Sequence, residues 1–224
     1  METLMHTMKP FTKIGFAALG VFSLSLLAIS GATKPKPDPS PTVAAQDFVR
    51  LPIPSGTYVM DKTHGYVTFS YSHFGFSNPV LAFRNIDARV KLDAKKPENS
   101  QLDVLIHAES IDSGVDEFDT HLRSDDFFDV EKFPDITFKS TSLIRTGEST
   151  GTLSGDLTMK GITKPVTLDV KILGARKHPL KGVYAFGIEA TGTLKRKDFG
   201  LGKYAPSVSN DVDLHISAEF HKKG

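Results

Sequence analysis

The sequence predicts an all-β fold: a single antiparallel barrel of about eight strands, with one or two short helices closing one end. Three observations carry this. From Gly56 onward, apolar residues recur with a period of two rather than 3.6. Polar segments rich in Gly or Pro part these runs at short intervals. The runs also follow one another closely, so short turns would build a meander. A meander of this length closes on itself to hide its edges.

The first alternating run, Tyr66–Phe74, places Val67, Phe69, Tyr71 and His73 on one face. Val80–Leu92 supplies the next strand, with Phe83 and Ala88 inward. After the polar stretch 94–101, Leu102–Ala108 sets Leu102, Val104, Ile106 and Ala108 against Asp103 and His107. Ile136, Phe138 and Ser140 share a face in the following run. Thr152–Met159 and Val166–Ile172 flank the tight turn Lys160–Thr163. Tyr184, Phe186, Ile188 and Ala190 then alternate with Ala185, Gly187 and Glu189. The last run carries Val212, Leu214, Ile216, Ala218 and Phe220 on one parity. Each reads as a strand with one apolar face. Ser113–Val130 breaks the rhythm. Val115, Phe118 and Leu122 lie at helical spacing, and Ser124 before Asp125 and Asp126 reads as a second helix start.

Upstream of the barrel, the sequence predicts an exported protein. Lys9 and Lys13 precede an apolar run, Ile14–Ser30, and Ser30-Gly31-Ala32 offers small residues for cleavage near Ala32. Residues 1–32 are therefore expected to be a cleaved signal peptide, and the mature chain periplasmic. Residues 33–55 read as a Pro-rich linker, since TKPKPDPSP favours extended polyproline geometry. Residues 56–224 form the barrel domain. The chain has no Cys, so its stability rests on a hydrophobic core. Losing Lys9, Lys13 and Glu2 from 27 basic and 26 acidic side chains leaves the two signs in balance. A neutral chain gives no footing for nucleic acid.

The motifs of common catalytic sites are missing: no G-x-S-x-G, no H-E-x-x-H, no phosphate-binding loop. A non-enzyme without cofactor or metal is expected. The histidines after the leader are scattered over separate strands and turns, which favours structural roles over metal ligation. The acids of 116–131 read as a solvated helix face, with Arg123 paired to one of them or, alternatively, meeting a ligand phosphate at the barrel rim. His73, on the parity of Val67, Phe69 and Tyr71, is either a polar group at the barrel mouth or a hydrogen-bonded core histidine. Of sixteen Phe and five Tyr, many sit on the inward parity: Phe69, Tyr71, Phe83, Phe138, Tyr184, Phe186 and Phe220. They serve either as filler of a solid core or as walls of a ligand tunnel. Small inward residues, Ala88, Ala108, Ser140, Ala190 and Ala218, leave room for the second.

Longer stretches add a resemblance. Tyr58 with Asp61 and His64, and Phe69 with His73 and Gly75, come first. His121-Leu-Arg-Ser124, Asp126-Phe127-Phe128 and Phe133-Pro134 follow. Gly155-Asp-Leu-Thr158, Gly161–Val166 and Lys197-Asp-Phe-Gly200 complete the order. This wording resembles the YceI-like family, periplasmic lipocalin-like barrels that bind polyisoprenoids. Leu81-Ala82-Phe83 departs from the family's usual Gly-x-Phe. The resemblance implies a carrier that sequesters an isoprenoid or fatty-chain lipid. The alternative is an enzyme or accessory factor of isoprenoid-quinone or lipid metabolism or of a stress response. It also implies an apolar lining rather than a catalytic set. Joined to the inward parity, the expected lipid-binding residues are Val67, Phe69, Tyr71, His73 and Phe83; Val104, Ile106 and Ala108; Phe127, Phe128 and Phe138; and Phe186, Ile188 and Ala190. Transient contact with a membrane or membrane protein, and a homodimer, stay open as further associations.

Overall fold

The computed structural model describes residues 51–224. Strand β1 (Gly56–Ser70) is followed by β2 (Val80–Phe83), β3 (Ile86–Leu92), β4 (Gln101–His107) and the short β5 (Ile111–Asp112). Helix α1 (Asp116–Arg123) comes next. Then β6 (Asp135–Arg145), β7 (Thr150–Met159), β8 (Ile162–Lys177), β9 (Tyr184–Lys195) and β10 (Asp211–Lys222) run as a meander. The ladder reads β10-β9-β8-β7-β6-β4-β3-β1, and β1 pairs with β10 to close it. The result is an eight-stranded antiparallel barrel, with β2 and β5 laid on beside β1 at one end.

Local chemistry explains the tight corners. In the β7–β8 hairpin, Met159 pairs with Ile162 across a two-residue loop, Lys160-Gly161, with both loop residues at positive φ. That turn matches the right-handed twist of the flanking strands. At the start of the described chain, the Tyr58 side chain is fully buried and its hydroxyl donates to the Pro54 carbonyl at 2.7 Å. Burial pushes its phenol up to about 12.

Four expectations need correction. Val80–Leu92 is two strands, because the chain turns at Arg84-Asn85, where the Arg84 N–H donates to the Ser110 carbonyl. Ala108 lies outside β4. It begins a 3₁₀ turn, Ala108–Ser110, is fully buried, and donates its N–H to the Pro134 carbonyl at 2.8 Å. No second helix starts at Ser124. Turns fold the segment back, with Phe127 and Asp129 N–H groups on the Ser124 carbonyl and Asp129 at φ 50°. A left-handed residue so soon after Ser124, and Pro134 soon after it, leave no length for a helix. Finally, Leu51 and Ile53 belong to the core, so packing begins before the expected boundary at Gly56. The leader, its cleavage site and linker residues 33–50 lie outside the described residues.

Candidate functional site

The inside of the barrel holds three cavities in succession, of about 210, 150 and 100 Å³. The first lies at the mouth beneath α1. Its walls include Phe69, Tyr71, Phe83, Phe118, Leu122 and Phe128. Phe69, Phe83, Met159, Leu194 and Leu214 face both the first cavity and the second. Leu102, Leu153, Val170, Ile188 and Phe220 likewise join the second to the third. Inward side chains such as Val67, Phe69, Val104, Leu194, Leu214 and Ile216 are only partly buried although they point into the barrel. A filled core would bury them. The barrel is therefore hollow, which decides between wall and filler.

The expected lining residues divide along this axis. Phe69, Tyr71, His73, Phe83, Phe127 and Phe128 surround the mouth cavity. Val67, Val104, Ile106, Phe138, Ile188 and Ala190 wall the second. Phe186 lines the third. Ala108 lines none of the three: leaving β4 one residue early turns it under the Phe133-Pro134 corner instead of into the barrel. The small residue meant to leave room in the lumen is thus spent on close packing.

Rings link the mouth residues to one another. Phe83 meets Phe69 at 5.7 Å and Phe128 at 5.5 Å between centroids. Phe127 stands between His121, at 5.0 Å, and Tyr204, at 6.4 Å. His73 is exposed at the rim, its ring edge-on to Phe74 at 4.6 Å, so the core alternative for it is excluded. Arg123 is not paired with the acids of 116–131 as expected. Its guanidinium donates instead to the Glu109 and Ile111 carbonyls and pins α1 to the turn before β5.

One mouth residue carries no sequence signal. Arg196 follows β9 and is only 7% exposed. Its guanidinium donates to the carbonyls of Ser209 (2.7 Å), Val208 (2.8 Å) and Leu201. These bonds fasten the 197–210 loop across the mouth. In the chain it stands among Lys195, Lys197 and Asp198, and looks like surface.

On the outer wall, strands distant in sequence gather a second polar group. β1 bulges between Met60 and Gly65 against β10. There the Asp61 carboxylate meets Lys181 Nζ at 2.6 Å, His64 Nδ1 at 3.2 Å and His221 Nδ1 at 3.8 Å. Glu219 Oε1 lies 2.7 Å from His221 Nε2 and 3.4 Å from His178 Nε2. Scattered histidines therefore do converge, and His178, Glu219 and His221 sit close enough to share an ion. Yet His178 Nδ1 accepts the N–H groups of Leu180 and Lys181, at 3.2 and 3.1 Å. The neutral ring then carries its proton on Nε2 and donates toward Glu219, where a metal would need a lone pair. The group is a hydrogen-bonded latch between β1, β10 and the β8–β9 turn.

That latch sets a pH dependence. Lys181 first, then the Thr63 hydroxyl, holds the Asp61 carboxyl far below the usual carboxylate range. The His221 ring holds Glu219 below its ordinary value. Groups with depressed folded pKa contribute stability above their unfolded pKa and lose it as pH falls. Asp61→Asn should therefore be less stable than the native chain at pH 7, with the difference starting to narrow below about pH 4, the unfolded carboxylate range, and still largely present at about pH 3. Urea midpoints across that range measure it. A gap that stays constant with pH would mean that packing, not charge, holds the bulge.

Comparison with known proteins agrees with this architecture. The profile of the YceI-like domain matches residues 58–220. A UPF0312 protein of Ectopseudomonas mendocina is 42% identical over 164 residues, covering 72% of this chain and 85% of that protein. Protein YceI of Escherichia coli O157:H7 is 40% identical over the same length and coverage. Among solved structures, a Campylobacter jejuni YCEI protein superposes with a TM-score of 0.62 at 30% identity, over 68% of this chain and 90% of that one. A polyisoprenoid binding domain from Saccharophagus degradans shares the fold alone, with a TM-score of 0.57 at 13% identity, over 75% of this chain and 99% of that domain. With the profile spanning β1 to β10 and curated relatives at this identity, the chain belongs to the YceI-like family.

Proposed function

We propose that this protein is a periplasmic carrier that sequesters one isoprenoid or other long-chain lipid inside its barrel. The observation that carries the reading is the succession of three cavities with almost wholly apolar walls, opening under α1. An apolar cavity of about 150 Å³ already accepts a benzene-sized guest. Cavities joined through shared walls suit a slender chain. Each buried CH₂ contributes about 0.8 kcal/mol, so a dozen give ~10 kcal/mol before association costs. The polyisoprenoid binding domain with the same fold supports the ligand class. Periplasmic address rests on the leader pattern of residues 1–32.

Loading from a bilayer fits the rim. Phe76 is 91% exposed and Phe74 52%, in the loop that His73 opens beside the mouth cavity. Exposed aromatic side chains there would meet a membrane surface while the cavity receives its chain.

The test is native mass spectrometry of protein purified from the periplasm without detergent. We expect one bound species that organic extraction releases as a polyprenyl or long-chain lipid. Protein recovered at its bare mass, and unable to take up such a lipid from vesicles, would sink the carrier reading.

A further inference from the structure

Arg196 is a cation buried to more than nine-tenths, and among the described residues no carboxylate meets it. Its partners are three backbone carbonyls, which direct its donors but bring no net negative charge. Those bonds use three of the five guanidinium hydrogens. Desolvation pulls its pKa below the ordinary value, the sign expected of a buried charge without a counterion. Arg196 also lines the mouth cavity, together with His73, His121 and Lys203; among the described residues no Asp or Glu lines it. Lys203 is paired with Asp126 outside that lining. The Tyr71 phenol, its pKa raised by burial, stays protonated and can donate.

An unpaired buried charge is costly. Here it stands at the open end of an otherwise apolar tube, and every ionisable group on that wall is a cation or a neutral donor. We propose that the mouth takes an anionic head group, a carboxylate or phosphate, at the end of the lipid chain, with Arg196 as its anchor and Lys203 as rim support. This rests on the carrier reading and names the ligand's polar end. The chain fills the apolar cavities; the oxyanion meets the two remaining guanidinium hydrogens, which suit planar or branched oxyanions.

A matched series separates the two readings. Farnesol, farnesoic acid and farnesyl monophosphate share one tail and differ in head. Each is titrated against the native protein loaded with N-phenyl-1-naphthylamine, a neutral apolar dye. The acid or the phosphate should displace the dye at a concentration at least tenfold below that of the alcohol, as a charge-assisted hydrogen bond in a buried site implies. Whichever anion wins identifies the carboxylate or phosphate source. Arg196→Met should shrink that ratio, and Lys203→Gln, on the exposed rim, should shrink it less. Because Arg196 fastens a loop, its variant is compared only if its thermal midpoint survives; the native series and Lys203→Gln stand without it. Equal displacement by all three heads would overturn the anionic head group and leave the carrier intact. A folded Arg196→Met with the native ratio would overturn the anchor. Failure of the dye and of all three farnesyl compounds to bind would overturn the carrier reading itself.

Discussion

Ala190→Phe is expected to expel the bound lipid while the protein still unfolds cooperatively. Ala190 is 3% exposed, sits on β9 opposite Ile216 and Val170, and faces the 150 Å³ cavity at the middle of the barrel. A phenyl group there has empty space to enter, so the fold should absorb it at a cost of about 1–3 kcal/mol. The chain cannot pass a ring at the midpoint, so it loses every contact beyond. Forfeiting even half a dozen methylene contacts removes ~5 kcal/mol, enough to abolish co-purification. Native mass spectrometry reads occupancy and a thermal melt reads folding. Ala108→Phe is the contrast: Ala108 is fully buried outside the lumen, so its variant should melt early. A folded Ala190→Phe that still carries the same lipid would place the ligand outside the barrel.

Ala190 and Ala108 also mark where sequence reading works and where it stops. Strand alternation reports which face a side chain takes, so β6, β9 and β10 and most of the lining could be read directly, whereas the expected run Tyr66–Phe74 caught only the end of β1 (Gly56–Ser70). It says nothing about where pairing ends. The β4 run ends at His107, because the next N–H is taken by Pro134 from a distant segment, and Ala108 changes role by one residue. The break at Arg84-Asn85 is set in the same way by the Ser110 carbonyl. Buried charge is harder still. Nothing around Arg196 in the chain tells it from a surface lysine, since its burial comes from carbonyls contributed by residues 201–209. The outer latch joins residues 61, 178 and 219 only because the barrel closes β1 onto β10. Hollowness itself lies beyond composition, because walls and filler use the same residues.

Gly155→Ala should be among the most destabilising single-methyl changes in the barrel. Gly155 is buried in β7 opposite Ser140, next to the irregular step in β6 between Ser140 and Ser142. A Cβ at this position would stand 2.3 Å from Phe138 Cζ and 2.6 Å from the Lys139 carbonyl oxygen. The Phe138 ring can swing away, but the Lys139 oxygen belongs to the backbone, so β6 must shift as well. Overpacking of this kind costs about 1–3 kcal/mol, or roughly 2–4 °C of thermal midpoint per kcal/mol in a domain of this size. Phe138 also walls the middle cavity, so the displaced ring should intrude on the lumen and weaken lipid retention. Gly187→Ala is the control in the same barrel: the nearest atoms to its Cβ lie at 3.9 Å, and its midpoint should barely move. Should Gly155→Ala and Gly187→Ala melt together and hold lipid equally, the ring of Phe138 would not be packed over a glycine. The absence of a side chain at 155 would then have no part in shaping the cavity.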